Sequence, residues 1–251
     1  MAAPSRIAGK IHKWLALVLA VPFLFWFVSG LFFAIAPIEQ VRSEHMVAEQ
    51  PPVPISMADA AAGLQRIHAA GAQAGEKIEF RSLLGQPVAL VTGAGAKPRL
   101  YDLASGRQLS PIPQTLAVQI AERDHAGDQR AARVSFVEQE STEYRGALPA
   151  WRVDFDDGAR RALYVAADTG AVGARRSTLW RTFDFLWSLH IMDFKNHEDF
   201  NTPLLMITTA FGLLVIVTGF ILFPSRLGYT SWRRRRKAKR ERARAQAAPA
   251  E

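Results

Sequence analysis

The residues best suited to bind a metal or a redox group are histidines that lie next to two apolar stretches. The chain holds six histidines and no cysteine, which excludes disulfides, thiolate catalysis and cysteine-ligated metal clusters. His12 comes one helical turn before the first apolar stretch, whereas His190 and His197 come shortly before the second. The other three, which fall in polar segments or on helices of a soluble domain and are expected at the surface, are His45, His68 and His125.

The spacing of the second pair depends on local structure. If the segment is helical, His190, Asp193 and His197 share one face, because spacings of three, four and seven residues return to the same side of a helix. Asp193 could then accept the free ring N–H of His190 and orient the ring. The alternative for residues 179–197 is an aromatic-rich amphipathic helix at a membrane interface, and the alternative for His12 is an ordinary interfacial histidine.

Two apolar stretches, residues 14–38 and 200–224, are each long enough to cross a bilayer. The first lacks any charged side chain, and a helix that rises 1.5 Å per residue needs about 20 residues to cross the hydrocarbon. We therefore predict two transmembrane helices. The alternative for residues 1–36 is a cleaved signal peptide, although the apolar stretch exceeds the roughly 7–15 residues usual for that role.

The basic residues are concentrated at the two ends of the chain. The ends hold thirteen of the 31 Lys and Arg residues and two acids, a sum of +11, so the middle carries about −3 of the total of +8. Because basic flanks are retained in the cytoplasm, we predict a two-pass protein of the bacterial inner membrane with both termini cytoplasmic and the central domain periplasmic. The tail, residues 225–251, resembles a nucleic-acid arm but fits contact with anionic lipid better, so no nucleic-acid partner is expected.

Between the spans, the pattern indicates an α+β domain that contains a repeat. After a linker at residues 39–55, a helix at 56–70 precedes strands at 78–84, 87–92 and 99–103. A second helix at 115–125 precedes strands at 133–138, 151–155 and 162–166. LYDLASG at 100–106 and LYVAADTG at 163–170 look like one motif used twice, so we predict two tandem helix-plus-antiparallel-sheet modules, residues 56–113 and 114–177. Each half alone is small for a stable core.

Several segments carry a family resemblance. WRVDFDDG at 151–158 and LYVAADTGAV at 163–172 resemble the signature of the PepSY domain, a small α+β module. IHKWLAL at 11–17, SGL at 29–31 and SLHIMDF at 188–194 resemble the PepSY-associated transmembrane helix family. The resemblance implies an α+β extracytoplasmic domain of two tandem PepSY-like modules, flanked by a basic N-terminus at 1–13, two transmembrane helices, an interfacial aromatic helix at 178–199 and the basic tail.

The resemblance also implies a function. Some longer members resemble iron-regulated inner-membrane proteins and ferric-siderophore reductases, which carry haem b on membrane histidines. This implies haem b at His12, His190 and His197, with Asp193 as a supporting partner, and a component of a ferric reductase system that assists electron transfer. The chain has two spans where those reductases have about four, and it shows no flavin or nicotinamide motif. The alternative is a non-catalytic anchored module that binds or restrains a periplasmic partner such as a protease.

Haem geometry limits how these histidines could act. Two axial ligands must face one iron, whereas His12 and His190 are predicted at opposite membrane surfaces about 30 Å apart. A parallel homodimer, or another membrane subunit, would be needed to complete each site within the lipid bilayer. Elsewhere Glu138, Glu140 and Glu143 form an acidic strand edge that we predict to be a solvated face.

Overall fold

In chain order, this computed structural model has apolar helices first, then an α+β segment, then apolar helices again. The structure describes residues 3–51, 53–73, 76–226, 232, 235–236 and 238–240, so most of the predicted tail at 225–251 lies outside the described residues. The helices are α1 (Ala3–Val18), α2 (Ala20–Ile35), α3 (Ile38–Val41), α4 (Met57–Ala69), α5 (Gln114–Asp124), α6 (Thr178–Ile191) and α7 (Pro203–Arg226). The strands are β1 (Lys77–Leu83), β2 (Gln86–Thr92), β3 (Arg99–Asp102), β4 (Ala131–Val137), β5 (Ala150–Phe155), β6 (Ala162–Ala166) and β7 (Val172–Arg176).

The chain forms two compact units. One combines Met1–Phe32 with Leu186–Glu251, and the other, called the α+β unit below, is Phe33–Phe185. The predicted fold class is confirmed at the level of an α+β protein with two small antiparallel sheets. The predicted domain boundaries remain predictions.

The first apolar stretch is not one straight helix. Helices α1 and α2 meet at Leu19 with a bend of 60°. Pro22 explains the position of the bend, because its ring lacks an N–H and clashes with the carbonyl four residues earlier, that of Val18. Within the described ranges, Pro203–Pro224 alone is long and apolar enough to cross a bilayer, and the α1–α2 pair adds a second span if the bent pair counts as one.

The first sheet has the order β1-β2-β3 and is covered on both faces. Strand β2 buries four consecutive residues, Val88, Ala89, Leu90 and Val91. Ala89 and Val91 pack with Ile67 of α4, whereas Val88 and Leu90 point into a second cluster. A continuous apolar run is expected for a strand with both faces buried, so β2 is the central strand of the first sheet.

The second sheet, β4-β5-β6-β7, shares its core with the first. One cluster contains residues of β2 and β3, Ala117, Ile120 and Ala121 of α5, and residues of β5 and β6. Helix α5 therefore stabilises both sheets at once. Sequence patterning missed β7, because its arginines break the apolar alternation: Arg175 pairs with Asp124 at 2.6 and 2.5 Å, and Arg176 stacks on Trp180.

Gly63 lets α4 approach the first sheet closely. A Cβ at this position would overlap the side chain of Leu103 and lie 3.2 Å from its carbonyl oxygen. Leu103 is 2% exposed, so its side chain has little free space to move into. We expect Gly63→Ala to lower the free energy of unfolding by about 1–3 kcal/mol, although alanine has the higher helix propensity. Urea unfolding of the full chain in detergent measures this, with Gly158→Ala as the control because nothing lies within 4 Å of a Cβ there. An unchanged or increased stability of Gly63→Ala would contradict the packing.

Candidate functional site

His190, near the end of α6, is held by two residues of α2. Its Nδ1 lies 2.7 Å from the hydroxyl oxygen of Ser29, and that hydroxyl donates its own proton to the carbonyl of Phe25 at 2.5 Å. If Nδ1 carries the ring proton, the Ser29 oxygen accepts it and the lone pair of the ring is on Nε2. The indole N–H of Trp26 also donates to the His190 carbonyl at 2.7 Å. Both the ring and the backbone of His190 are thus positioned.

His190 lines an apolar pocket with a volume of about 550 Å³. The remaining walls are aromatic or aliphatic apart from one threonine: Phe23, Trp26, Phe27, Thr209, Gly212, Leu213 and Ile216. A Cβ at Gly212 would meet the ring of Phe23 at 3.4 Å, which is an ordinary van der Waals distance. A mainly apolar cavity of this size with one oriented polar group is typical of a site for a cofactor or small ligand.

His12, on α1, also has its ring nitrogen Nδ1 next to oxygen atoms of another helix. Its Nδ1 lies 3.0 Å from the carbonyl oxygen of Val215 and 3.2 Å from the hydroxyl oxygen of Thr218, both on α7. Thr218 donates its own proton to the carbonyl of Leu214 at 2.7 Å, so the His12 ring donates from Nδ1 and keeps its lone pair on Nε2. Gly219 faces the ring, and a Cβ there would lie 3.3 Å from Cε1 of His12.

The two histidines lie in the same unit but are well separated. With a rise of 1.5 Å per residue along α1 and α2 and the 60° bend between them, His12 and Ser29 are roughly 20 Å apart. This is less than the expected 30 Å. It remains far too long for both rings to reach one iron, so each site supplies a single imidazole.

The predicted shared face of His190, Asp193 and His197 is wrong. Helix α6 ends at Ile191, and Met192 and His197 have left-handed φ values of 54° and 61°. The Asp193 carboxylate, which was expected to orient His190, instead accepts four backbone N–H groups at 2.9–3.1 Å, those of Lys195, Asn196, Glu198 and Asp199. Residues three, four and seven positions apart occur in loops as well as in helices. The spacing alone therefore could not show that the chain forms a loop around this carboxylate.

Asp193 therefore organises the loop between α6 and α7. The N–H groups of Asp199 and Glu198, followed by that of Asn196, hold the pKa of Asp193 far below its usual range. We expect Asp193→Asn to speed the hydrogen exchange of these loop amides, with the exposed Asp128→Asn as the control. Because a lowered pKa preserves the charged form, protection in the wild-type loop should persist through pH 4 and disappear only in stronger acid. Unchanged exchange in Asp193→Asn would contradict this role.

The remaining histidines divide between surface and core. His45 and His68 are exposed, as predicted. The surface prediction for His125 is wrong, because this residue is 4% exposed and its ring lies 4.7 Å from that of Phe155. Across the described residues, no group of three or more His, Asp and Glu side chains could hold a metal ion.

Glu143 is the centre of an ionic network rather than part of a solvated edge, so that prediction is wrong for this residue. Its carboxylate accepts from Arg181 at 2.6 Å, Arg152 at 2.9 Å and the Tyr164 hydroxyl at 3.0 Å. Burial alone would raise the pKa of Glu143, but the hydrogen bond from Arg181 and the charges of Arg152 and Arg181 outweigh it and hold the pKa below its usual value. Glu138 and Glu140 are exposed, as predicted.

Comparison with known proteins gives one family. A family model described as the PepSY-associated TM region matches residues 10–246, which include both histidine sites and the α+β unit. No curated protein and no solved structure matches the chain significantly.

Proposed function

The chain belongs to the PepSY-associated TM region family, and we propose that it holds haem b at His190 and His12 and assists electron transfer to ferric substrates outside the cytoplasm. Its membrane association follows from the family and from the apolar helix Pro203–Pro224. The haem, the electron transfer and the ferric substrate are parts of the proposal.

One observation carries the proposal. His190 lines an aromatic-walled pocket of about 550 Å³, and its ring is held at Nδ1 by Ser29 at 2.7 Å. A histidine that binds a metal usually donates the N–H of its other ring nitrogen to an oxygen, which fixes the tautomer and raises the basicity of the coordinating nitrogen. His12 meets the same requirement through the carbonyl of Val215. A bound haem would supply one-electron redox chemistry at these positions.

Each site offers one histidine, so a haem held by two histidines would need a second chain. We propose a parallel homodimer in which each histidine is paired with its counterpart. Another membrane subunit with its own histidine would serve equally. The size of the complex in detergent, measured with and without haem, distinguishes a homodimer from a mixed assembly.

For the orientation, we propose a two-pass protein of the bacterial inner membrane with cytoplasmic termini and a periplasmic α+β domain. The chain has no cysteine, so single cysteines can be introduced without background. In intact spheroplasts, a membrane-impermeant maleimide should label Ala94→Cys, which lies in an exposed loop, and spare Ala250→Cys until the cells are lysed. Labelling of Ala250→Cys in intact spheroplasts would overturn the orientation.

The direct test of the cofactor is spectroscopic. Full-length protein, expressed with ample haem and purified in mild detergent, should show a Soret band that shifts on reduction with dithionite. Absence of a Soret band would reject haem binding. The anchored module that binds a periplasmic partner would then be the remaining interpretation, and it predicts that changes on the surface of the α+β unit impair function while His12→Ala does not.

A further inference from the structure

A second pocket lies entirely within the α+β unit and has a volume of about 410 Å³. Five guanidinium groups line it, those of Arg133, Arg152, Arg160, Arg161 and Arg181. Its lining contains only two carboxylates, those of Asp154 and Asp156. Glu143 and Asp157 also pair with these arginines from outside the lining, so five positive charges face four negative ones and leave a net charge of +1.

The inner wall of this arginine pocket is fixed before any ligand arrives. Glu143 pairs with Arg152 at 2.9 Å and with Arg181 at 2.6 Å, and Arg152 also donates to Asp154 at 2.9 Å. These side chains are between two-thirds and nine-tenths buried. Because the ion pairs hold both guanidinium groups in place, a ligand would not have to order them.

Arg161 has a buried donor that is still unused. One of its terminal nitrogens pairs with Asp157, and its side chain is 17% exposed. Its Nε is buried, and no atom of the described residues accepts from it. A buried N–H without an acceptor is costly, so an acceptor from a ligand or a bound water is expected next to it.

Two further arginines can reach a ligand. The side chain of Arg133 is 77% exposed and makes one contact, at 3.3 Å, with Asp154. Arg160 has a left-handed φ of 50°, which is unfavourable for a side chain of this size. Two hydrogen bonds fix its backbone there: its backbone N–H donates to the backbone carbonyl of Asp157 at 2.9 Å, and its carbonyl accepts from the guanidinium of Arg181 at 2.8 Å. No carboxylate of the described residues pairs with its guanidinium.

We propose that the arginine pocket binds a small soluble polyanion that carries at least two carboxylate or phosphate groups. The guanidinium fork matches both groups with paired hydrogen bonds, and arginine is the residue that proteins use most for this recognition. The volume falls in the range of small-molecule sites and exceeds what a single inorganic ion would fill. The argument uses the α+β unit alone and does not rest on the proposed haem.

The test uses the full-length protein in neutral detergent and calorimetric titration with citrate, pyrophosphate and acetate. We expect saturable binding of citrate or pyrophosphate that weakens as salt is added, and no comparable binding of acetate. The double variant Arg133→Gln/Arg160→Asn should raise the dissociation constant by about tenfold or more. Asparagine is chosen because it tolerates a left-handed backbone. Citrate and pyrophosphate distinguish the carboxylate from the phosphate form of the ligand.

Arg107→Gln is the matched control, because it removes one exposed positive charge from the same unit outside the pocket. Its affinity should stay close to that of the wild type. The proposal is overturned if neither polyanion binds, if acetate binds as tightly as citrate, or if Arg107→Gln weakens binding as much as the double variant. Circular dichroism of each variant confirms that the α+β unit is folded during the titration.

Discussion

His190→Ala is expected to remove the haem absorbance of the His190 pocket, because the substitution deletes the one imidazole in the lining and leaves walls that are apolar apart from Thr209. If both sites are occupied, about half of the haem per chain should be lost, and His12→Ala should remove the other half. The pyridine haemochrome assay measures the content, and His68→Ala, an exposed histidine of α4, is the matched control. An unchanged spectrum in His190→Ala would exclude the assignment.

Ser29→Ala separates ligation from general packing. This variant keeps His190 but removes the oxygen that accepts its Nδ1–H at 2.7 Å. Loss of such a supporting partner typically lowers the affinity of a metal site by about 10–100-fold. We expect weaker haem retention during dialysis against an apo-globin acceptor, together with a shifted Soret band. If Ser29→Ala retained haem as the wild type does, the tautomer argument would fail although His190 could still be a ligand.

Glu143→Gln is expected to lower the free energy of unfolding by about 1–3 kcal/mol at pH 7, because the neutral amide leaves Arg152 and Arg181 without their shared counter-charge. Tyr144 and Tyr164 stack next to the carboxylate, with ring centroids 4.5 Å apart, and contribute to the near-ultraviolet circular dichroism that follows urea unfolding. Glu138→Gln, at an exposed carboxylate of the same acidic segment, should change the stability little.

The pH dependence of this difference follows from the lowered pKa of Glu143. A carboxyl whose pKa is lower in the folded state stabilises the fold above its unfolded pKa of 4.5 and loses that contribution as the pH falls through the folded value. The gap between the wild type and Glu143→Gln should therefore be full at pH 7 and shrink in acid below pH 4.5. A gap that stayed constant through the acid range would show that Glu143 acts through packing rather than charge.

Local patterns in the sequence were sufficient for most of the secondary structure of the α+β unit, with β7 as the exception. The predicted helix at 56–70 begins with Ser56, whose hydroxyl accepts the N–H of Asp59 at 3.0 Å, as a capping residue should. The predicted strands at 87–92 and 162–166 lie within one residue of β2 and β6. These features depend on residues that are close in sequence. The family signatures at 151–172 are also short contiguous segments.

Burial and hydrogen-bond partners were decided by tertiary structure. Glu143 meets Arg181 across 38 residues, and His190 meets Ser29 across 161. His125 is buried although Arg123 and Asp124 precede it, and Asp193 accepts hydrogen bonds from a loop that helical spacing did not predict. The periodicity of a sequence shows which face of an element avoids water. It carries no information on which hydrogen-bond partner from a distant segment lies next to a given carboxylate or ring. In this chain such long-range contacts form both the His190 site and the arginine pocket.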